Sequence, residues 1–450
     1  MSAMRISKGL DIPISGCIES TTIADGPPAT RVALMPRDYP GIKVKTLVKE
    51  GDAVGRGQPL FLDRRDENVF YTSPANGTVE AINRGARRKI LSIVVKIGEE
   101  ANAAVFDKLD PDSASREQVK TLLAKSGLWP SIRRRPFNTV AHFDETPHSL
   151  FITAMDTNPL AGTARDVLKG REKDFVAGMK LLAKLPDGPT YLCTRENEDS
   201  PAFAQVEGIK QQAFGGPHPV GNVGVHIYAL DPVGSDKFVW HIGYQDVAAV
   251  GALALSGTLP EERVVAVAGS AAKHRRLVRT RRGACLSDIL ADYVAKEPAR
   301  VISGSVLWGN TSKPETPEGY LGAYSNQISI IEDKSPREFL GWALPGMKKY
   351  SLTNSVVGKF LHKTFDFNTN NNGGLRAIVP IGVYEKVMPM DIMPTFLLKA
   401  LAADDIESAE KLGALELAEE DMALMEFVCP SKIAVTSLLR KMLTRMEKEG

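Results

Sequence analysis

Residues 149–155 read SLFITAM, and the chain repeats that texture down to residue 269, with TYLCT at 190–194, VGVHIYAL at 223–230 and ERVVAVAG at 262–269. Each is an apolar run of strand length. Between them lie helical patterns from Ala164 to Leu185, from Pro201 to about Gln212 and from Asp246 to Leu259. Strands alternating with helices predict βαβ units and a largely parallel sheet covered on both faces. The expectation is a Rossmann-like α/β domain over residues 111–270, entered through a polar helix from Ser115 to Lys125.

Toward the N-terminus the texture changes to short β-runs: IKVKTLVKEGD (42–52), GQPLF (57–61), FYTSPANGTVEAINRG (70–85) and KILSIVVKIG (89–98). Turn residues at Glu50-Gly51-Asp52 and Asn76-Gly77 separate them, which predicts a small β domain within residues 1–110. The pair VKEGDAVGRGQPLF and SPANGTVEAI resembles the two halves of a biotinyl or lipoyl carrier domain. That family attaches its prosthetic group to a lysine at a hairpin tip, where this chain has Asp63, Arg64, Arg65 and Asp66. The fold is therefore expected to serve as a structural block without a swinging arm.

Toward the C-terminus, RRLVRTRRGACLSDILADY followed by ARVISGSVLWGN reads as strand, glycine turn, helix capped by Ser287, and strand. It resembles a soluble-ligand-binding β-grasp (SLBB-like) domain, expected over residues 271–340. A mixed segment and then helices rich in Ala, Leu, Glu and Lys, from Thr395 on, fill residues 341–450. The fold class is thus α/β and α+β, multidomain.

Composition narrows the function classes. Lys and Arg total 56 against 54 Asp and Glu, so no global field draws the chain onto nucleic acid. The basic stretch from Lys273 to Arg282 lacks interleaved aromatics and reads as charges on one strand face meeting solvent or an acidic partner. The clusters Arg133-Arg134-Arg135 and Arg84 to Lys89 read as solvated surface. Cys17, Cys193, Cys285 and Cys429 lie far apart, and the seven histidines form no metal-binding pair, so no metal site is expected. The N-terminal stretch does not read as a signal peptide, so export is not expected, and the longest apolar run, Val247 to Leu259, falls short of the about 20 residues a bilayer requires. Membrane association is expected only through partners.

Four features could carry chemistry or contact. FGGPHPVGNVG (214–224) is glycine-rich but reads as following a helix and entering a strand, the wrong order for a pyrophosphate loop. Its His218, between Pro217 and Pro219, could hydrogen-bond a quinone carbonyl, which makes Phe214, Gly215, Gly216 and His218 the candidate quinone-binding residues. Met388, Met390 and Met393 read as core or as an apolar groove. The final helix places Val435, Leu438, Leu439, Met442 and Met446 on one side with Lys432, Arg440, Lys441 and Arg445 around it, which suits a membrane interface and, in preference, packing within its own domain or on a partner. The fourth is Cys429-Pro430, which resembles the close of a ferredoxin-type cluster run. Counting back by that spacing gives Met425, Met422 and Glu419, so one thiolate stands where four are needed.

Taken in order, KGLDIPISG (8–16), TSPANGTVEAINRGARR (72–88), GGPHPVGNVGVHI (215–227), LVRTRRGACLSD (277–288), SGSVLWGN (303–310), the long block from Asn370 to Leu401 and EDMALMEFVCPSK (420–432) resemble the NqrA family, the A subunits of sodium-translocating NADH:quinone reductases, over essentially the whole chain. Wider relatives are the RnfC proteins of the Rnf complex and the complex I flavoprotein subunit. In those relatives a GGAGFP-like loop holds flavin. The corresponding stretch here is Lys125 to Pro130, where Leu128 and Trp129 would crowd the site.

The resemblance implies a peripheral subunit on the cytoplasmic face of the bacterial inner membrane, with subunits B to F as partners. The complex couples NADH oxidation and ubiquinone reduction to Na+ export. FAD, FMN, riboflavin and iron–sulfur centres would sit on other subunits, leaving this chain without a catalytic residue, a cofactor site or a metal of its own. Two other classes compete with this reading. One is a self-sufficient soluble flavin-dependent NADH oxidoreductase, and the other is a redox-inert carrier-domain scaffold of another assembly.

Overall fold

The computed structural model describes residues 3–333 and 344–449. The expected boundary at residues 340 and 341 lies outside them.

The β domain consists of two small sheets. Arg31–Leu34, Ile90–Ile97, Gly77–Arg84 and Ala53–Val54 form one, and Val44–Thr46, Pro59–Asp63 and Asp66–Thr72 form the other. Gly77 sits at φ +154, where a Cβ would collide with the Lys96 carbonyl, so the Asn76-Gly77 turn needs glycine. Arg64 and Arg65 form the turn of the Pro59–Asp63 and Asp66–Thr72 hairpin, where the carrier comparison placed them. Within the expected unit 1–110, Met4–Arg5 and Ser20–Asp25 pair instead with strands of the two larger sheets.

The α/β domain has a seven-stranded sheet in the order Met4–Arg5, Ile209–Gly215, Thr190–Arg195, Leu150–Ala154, Val239–Gly243, Arg133–Arg135, Thr139–Val140. The strands from Met4 through Gly243 run parallel, and the last two close the edge antiparallel. Helices Glu172–Leu182 and Tyr244–Ser256 cover one face, with Gly178 and Gly251 allowing their backbones to approach closely. The entry helix Arg116–Ser126 is capped by a reciprocal pair, Ser115 with Gln118, as its sequence signals.

Four expectations for this region need correction. The helix expected from Pro201 to Gln212 is a single 3-10 turn, Pro201–Phe203, followed by the strand Ile209–Gly215. Partners on both sides recruit that stretch into the sheet despite its weak alternation. VGVHIYAL is a helix, Val223–Leu230, and not a strand. Val223 to Ile227 are all buried, and a helix buried on every side gives no period to read. The expected helix Ala164 to Leu185 divides into Ala164–Val167 and Glu172–Leu182 around Gly170 at φ +85. ERVVAVAG, expected as the last strand of the α/β sheet, joins the next sheet.

That six-stranded sheet runs Asn310–Thr311, Ala299–Ser303, Gln327–Glu332, Glu262–Ala268, Arg276–Arg281, Ser20–Asp25. Helix Leu286–Leu290 packs on it. Its N-cap is Cys285, so Ser287 lies within the first turn and does not cap. The C-terminal helices Pro394–Ala403, Ile406–Lys411, Glu419–Val428 and Val435–Glu449 enclose an apolar core that also takes in Val225 of the α/β domain. Val435, Leu439, Met442, Leu443 and Met446 of the last helix are buried in that core, and Leu438 borders it.

Candidate functional site

In an open α/β sheet, ligands bind beyond the carboxyl ends of the strands where the strand order reverses. Here the order reverses between Leu150–Ala154 and Val239–Gly243, because the chain builds outward from the first strand in both directions. A cavity of about 90 Å³ lies at that point. Thr153, Asp156 and Asn158 reach it from the first strand and its loop, and Gly243 and Tyr244 from the start of the long helix. Other parts of the chain close it. Trp308 and Tyr324 come from the segments flanking the six-stranded sheet, Arg133 from the sheet edge and Glu420 from the helical domain. The last four also line a larger outer cleft of about 800 Å³.

Asp156 is held by the backbone N–H of Asn158 (2.9 Å) and by its side-chain amide (2.8 Å), yet burial pushes its carboxyl up to about 6. The Arg133 guanidinium lies over the Tyr324 ring at 4.5 Å, and the Tyr324 hydroxyl donates to the Pro130 carbonyl at 2.6 Å. Trp308 donates through Nε1 to the Asn158 side chain at 2.9 Å, tying the roof of the cavity to its floor.

The glycine-rich stretch is the feature that sequence reasoning misread. FGGPHPVGNVG connects the strand Ile209–Gly215 to the helix Val223–Leu230, and strand, loop and helix is the order that presents backbone amides to an anion. The anion in place belongs to the protein. Asp421, at the start of helix Glu419–Val428, lies so close to Gly224 that a Cβ there would overlap its carboxylate. Asn222 donates to the Glu420 carbonyl at 3.0 Å and to the Asp421 carboxylate at 3.4 Å.

Arg135 completes this plug. It is fully buried, with Nη1 3.0 Å from Asp421 and Nη2 2.8 Å from Glu420. The expectation that Arg133-Arg134-Arg135 forms solvated surface is therefore wrong for Arg135, because the edge strand is covered by a domain distant in sequence. Although burial opposes it, the two carboxylates hold the Arg135 guanidinium above its ordinary value.

Three domain families match the chain in register: the NqrA N-terminal barrel-sandwich hybrid domain over residues 4–98, the NqrA second alpha/beta domain over 114–259 and the NQRA C-terminal domain over 264–313. The A subunit of the Na(+)-translocating NADH-quinone reductase of Pasteurella multocida is 48% identical across 99% of this chain and 100% of its own length. The chain belongs to the NqrA family. The NqrA protein of Rhodopirellula baltica is 45% identical over 100% of this chain and 99% of its own length, and that of Actinobacillus pleuropneumoniae serotype 5b is 46% identical over 99% and 100%. As an NqrA chain it is one subunit of the Na+-translocating NADH-quinone reductase, an enzyme complex. Among the described residues no helix is long and apolar enough to cross a membrane.

In this NqrA chain the four candidate quinone residues stand together; Phe214, Gly215 and His218 are buried, and Gly216 is exposed. Phe214 is fully buried, its ring 4.4 Å from that of His226. Gly215 faces Glu196, and Gly216 faces the Ile6 backbone. His218 is 1% exposed. Its backbone N–H donates to Asp11 (2.9 Å), its Nδ1 lies 3.2 Å from the Thr157 hydroxyl, and its buried Nε2 has no partner among the described residues. Burial pushes its ring down to about 4, so it is neutral at physiological pH.

Leu128 and Trp129 are fully buried, and Trp129 donates to the Ala141 carbonyl at 2.7 Å. The volume beside this loop is thus occupied by core side chains. The cavity of about 90 Å³ is smaller than the about 300 Å³ at which small-molecule sites begin, whereas the outer cleft of about 800 Å³ is within their range. Cys429 is buried, its Sγ 3.1 Å from the Tyr384 hydroxyl, with Met422 and Met425 in the same core. Among the described residues no group of three or more His, Cys, Asp or Glu is placed to hold a metal ion. Met388 and Met390 are core residues, whereas Met393 is exposed. The basic strand meets acidic partners within the chain: Arg279 pairs with Asp25 and Glu262, Arg281 with Glu261, and Arg282 with Asp246.

Proposed function

We propose that this chain serves docking and assembly in the reductase, held on the cytoplasmic face of the bacterial inner membrane by subunits B to F and carrying no FAD, FMN, riboflavin or iron–sulfur centre of its own. One observation carries the reading. The helix N-terminus that would receive a cofactor phosphate is filled by Asp421 of the chain's own helical domain. On this view the α/β unit is a Rossmann-like domain and the six-stranded unit an SLBB-like β-grasp, both retained for shape. The test is a visible absorption spectrum and an acid-labile sulfide assay on the purified chain. Neither flavin absorption nor sulfide is expected, and stoichiometric flavin would instead favour a self-sufficient NADH oxidoreductase.

Quinone contact is a second reading, and the neutral, unpartnered Nε2 of His218 favours it. A ubiquinone carbonyl could accept from that nitrogen if the loop opened. Photoreactive quinone cross-linking of the whole complex should then label the segment 214–218. Labelling confined to other subunits would remove quinone from this chain's role.

A further inference from the structure

The turn Arg84 to Lys89 is exposed, as the sequence suggests, but it does not stand alone. Folding brings Arg84, Arg88 and Lys89 beside Arg64 of the neighbouring hairpin turn and Arg37 of the segment before it, around a groove of about 350 Å³. Among the described residues, no carboxylate lines this groove. Arg37 is engaged by Glu318. Among the described residues, Arg64, Arg84, Arg88 and Lys89 make no ion pair, although most arginines of this chain do. A protein of net charge +2 thus gathers four unpaired cations at one concave place. Like charges held together raise the free energy of the empty state, and an anion would relieve it.

Two further features point to a ligand with a particular chemistry. Arg87 and Arg88 are both held at positive φ (53 and 60), a strained arrangement for consecutive non-glycine residues, and it turns this loop back beside the groove. Ile42 and Val44 line the groove between the cations, together with Pro36, Pro40 and Ile90. Guanidinium forks match phosphate oxygens two at a time, and these few apolar side chains offer contact to the organic portion of the same molecule. The volume falls in the range of small-molecule sites.

We propose that this groove binds a multiply charged organic phosphate, which could come from a soluble nucleotide or from an anionic phospholipid head group. The site is independent of the reading that the chain carries no redox cofactor. The test uses the full chain and two probes: ATP by calorimetry at low ionic strength, and co-sedimentation with vesicles containing cardiolipin, whose head group carries two phosphates. The variant Arg64→Glu/Arg88→Glu/Lys89→Glu is compared with Lys8→Glu/Lys169→Glu/Lys313→Glu, which changes net charge equally at exposed positions elsewhere. Circular dichroism checks that both remain folded. Loss of two or more charge-assisted contacts should weaken binding by about 100-fold in the first variant and only slightly in the second. That pattern with ATP identifies a soluble ligand, and with vesicles alone a lipid head group. Equal weakening in both variants, or no binding of either probe by the unmodified chain, would overturn the proposal.

Discussion

Replacing Arg135 with Met is expected to cost about 3–5 kcal/mol, the range for breaking a buried ion pair from one side. The guanidinium is fully buried and bridges Asp421, whose side chain is 1% exposed, and Glu420, at 12%. Its removal leaves Asp421 buried with only Asn222 and the helix N-termini as partners, while Glu420, at the edge of the outer cleft, keeps the nearby charge of Arg133. A multidomain chain does not unfold in one step, so the loss should be read locally. Amide hydrogen exchange in Glu419–Val428 and Val435–Glu449 reports the undocking. Faster exchange there, with the sheet strands unchanged, is the expected outcome. Adding Glu420→Gln and Asp421→Asn to Arg135→Met removes the stranded charges and should recover most of the protection. Unchanged exchange in the single variant, or no recovery in the triple one, would refute the view that this network holds the helical domain in place.

Gly224→Ala should lower the melting temperature although alanine favours helix by about 1 kcal/mol, because the added methyl overlaps Asp421 and overpacking costs about 1–3 kcal/mol. A rise in melting temperature would contradict the plug. His218 and His226 are held down to about 4 by burial, and His241, also near Arg133 and Arg135, well below its ordinary value. The unfolded chain therefore binds these protons more readily, and stability should fall as pH drops from 6.5 toward 4, by about 3 kcal/mol each for the first two. Urea titrations across that window check this, and a pH-independent midpoint would count against it. Asp156 has the opposite sign. Raised to about 6, it costs stability above that pH, so Asp156→Asn should stabilise at pH 8 and much less near pH 4.

Much of the architecture can be read directly from the residues. The β-runs between residues 42 and 98, the helix capped at Ser115 and the strands SLFITAM and TYLCT follow from alternation, turn chemistry and a capping box, all of them local signals. The two misread elements of the α/β domain, 209–215 and 223–230, are held between neighbours on several sides, and such burial blurs the period that separates a strand from a helix. That double error hides the strand, loop and helix order around the glycines. The basic run Lys273 to Arg282 is legible as one face of a strand, but its acidic partners lie on other strands.

By itself the sequence determined the family, the order of the domains and the shortage of cluster-binding thiols, because these depend on which residues are present and how they are spaced. Only the tertiary structure decided that Asp421 fills the anion site at Asn222–Gly224, that Arg135 is buried and that Arg64 joins Arg84, Arg88 and Lys89. Each of these depends on segments that meet only when separate parts of the chain pack together. Charge and burial at such contacts belong to the interface, and the local sequence on either side carries no trace of its partner.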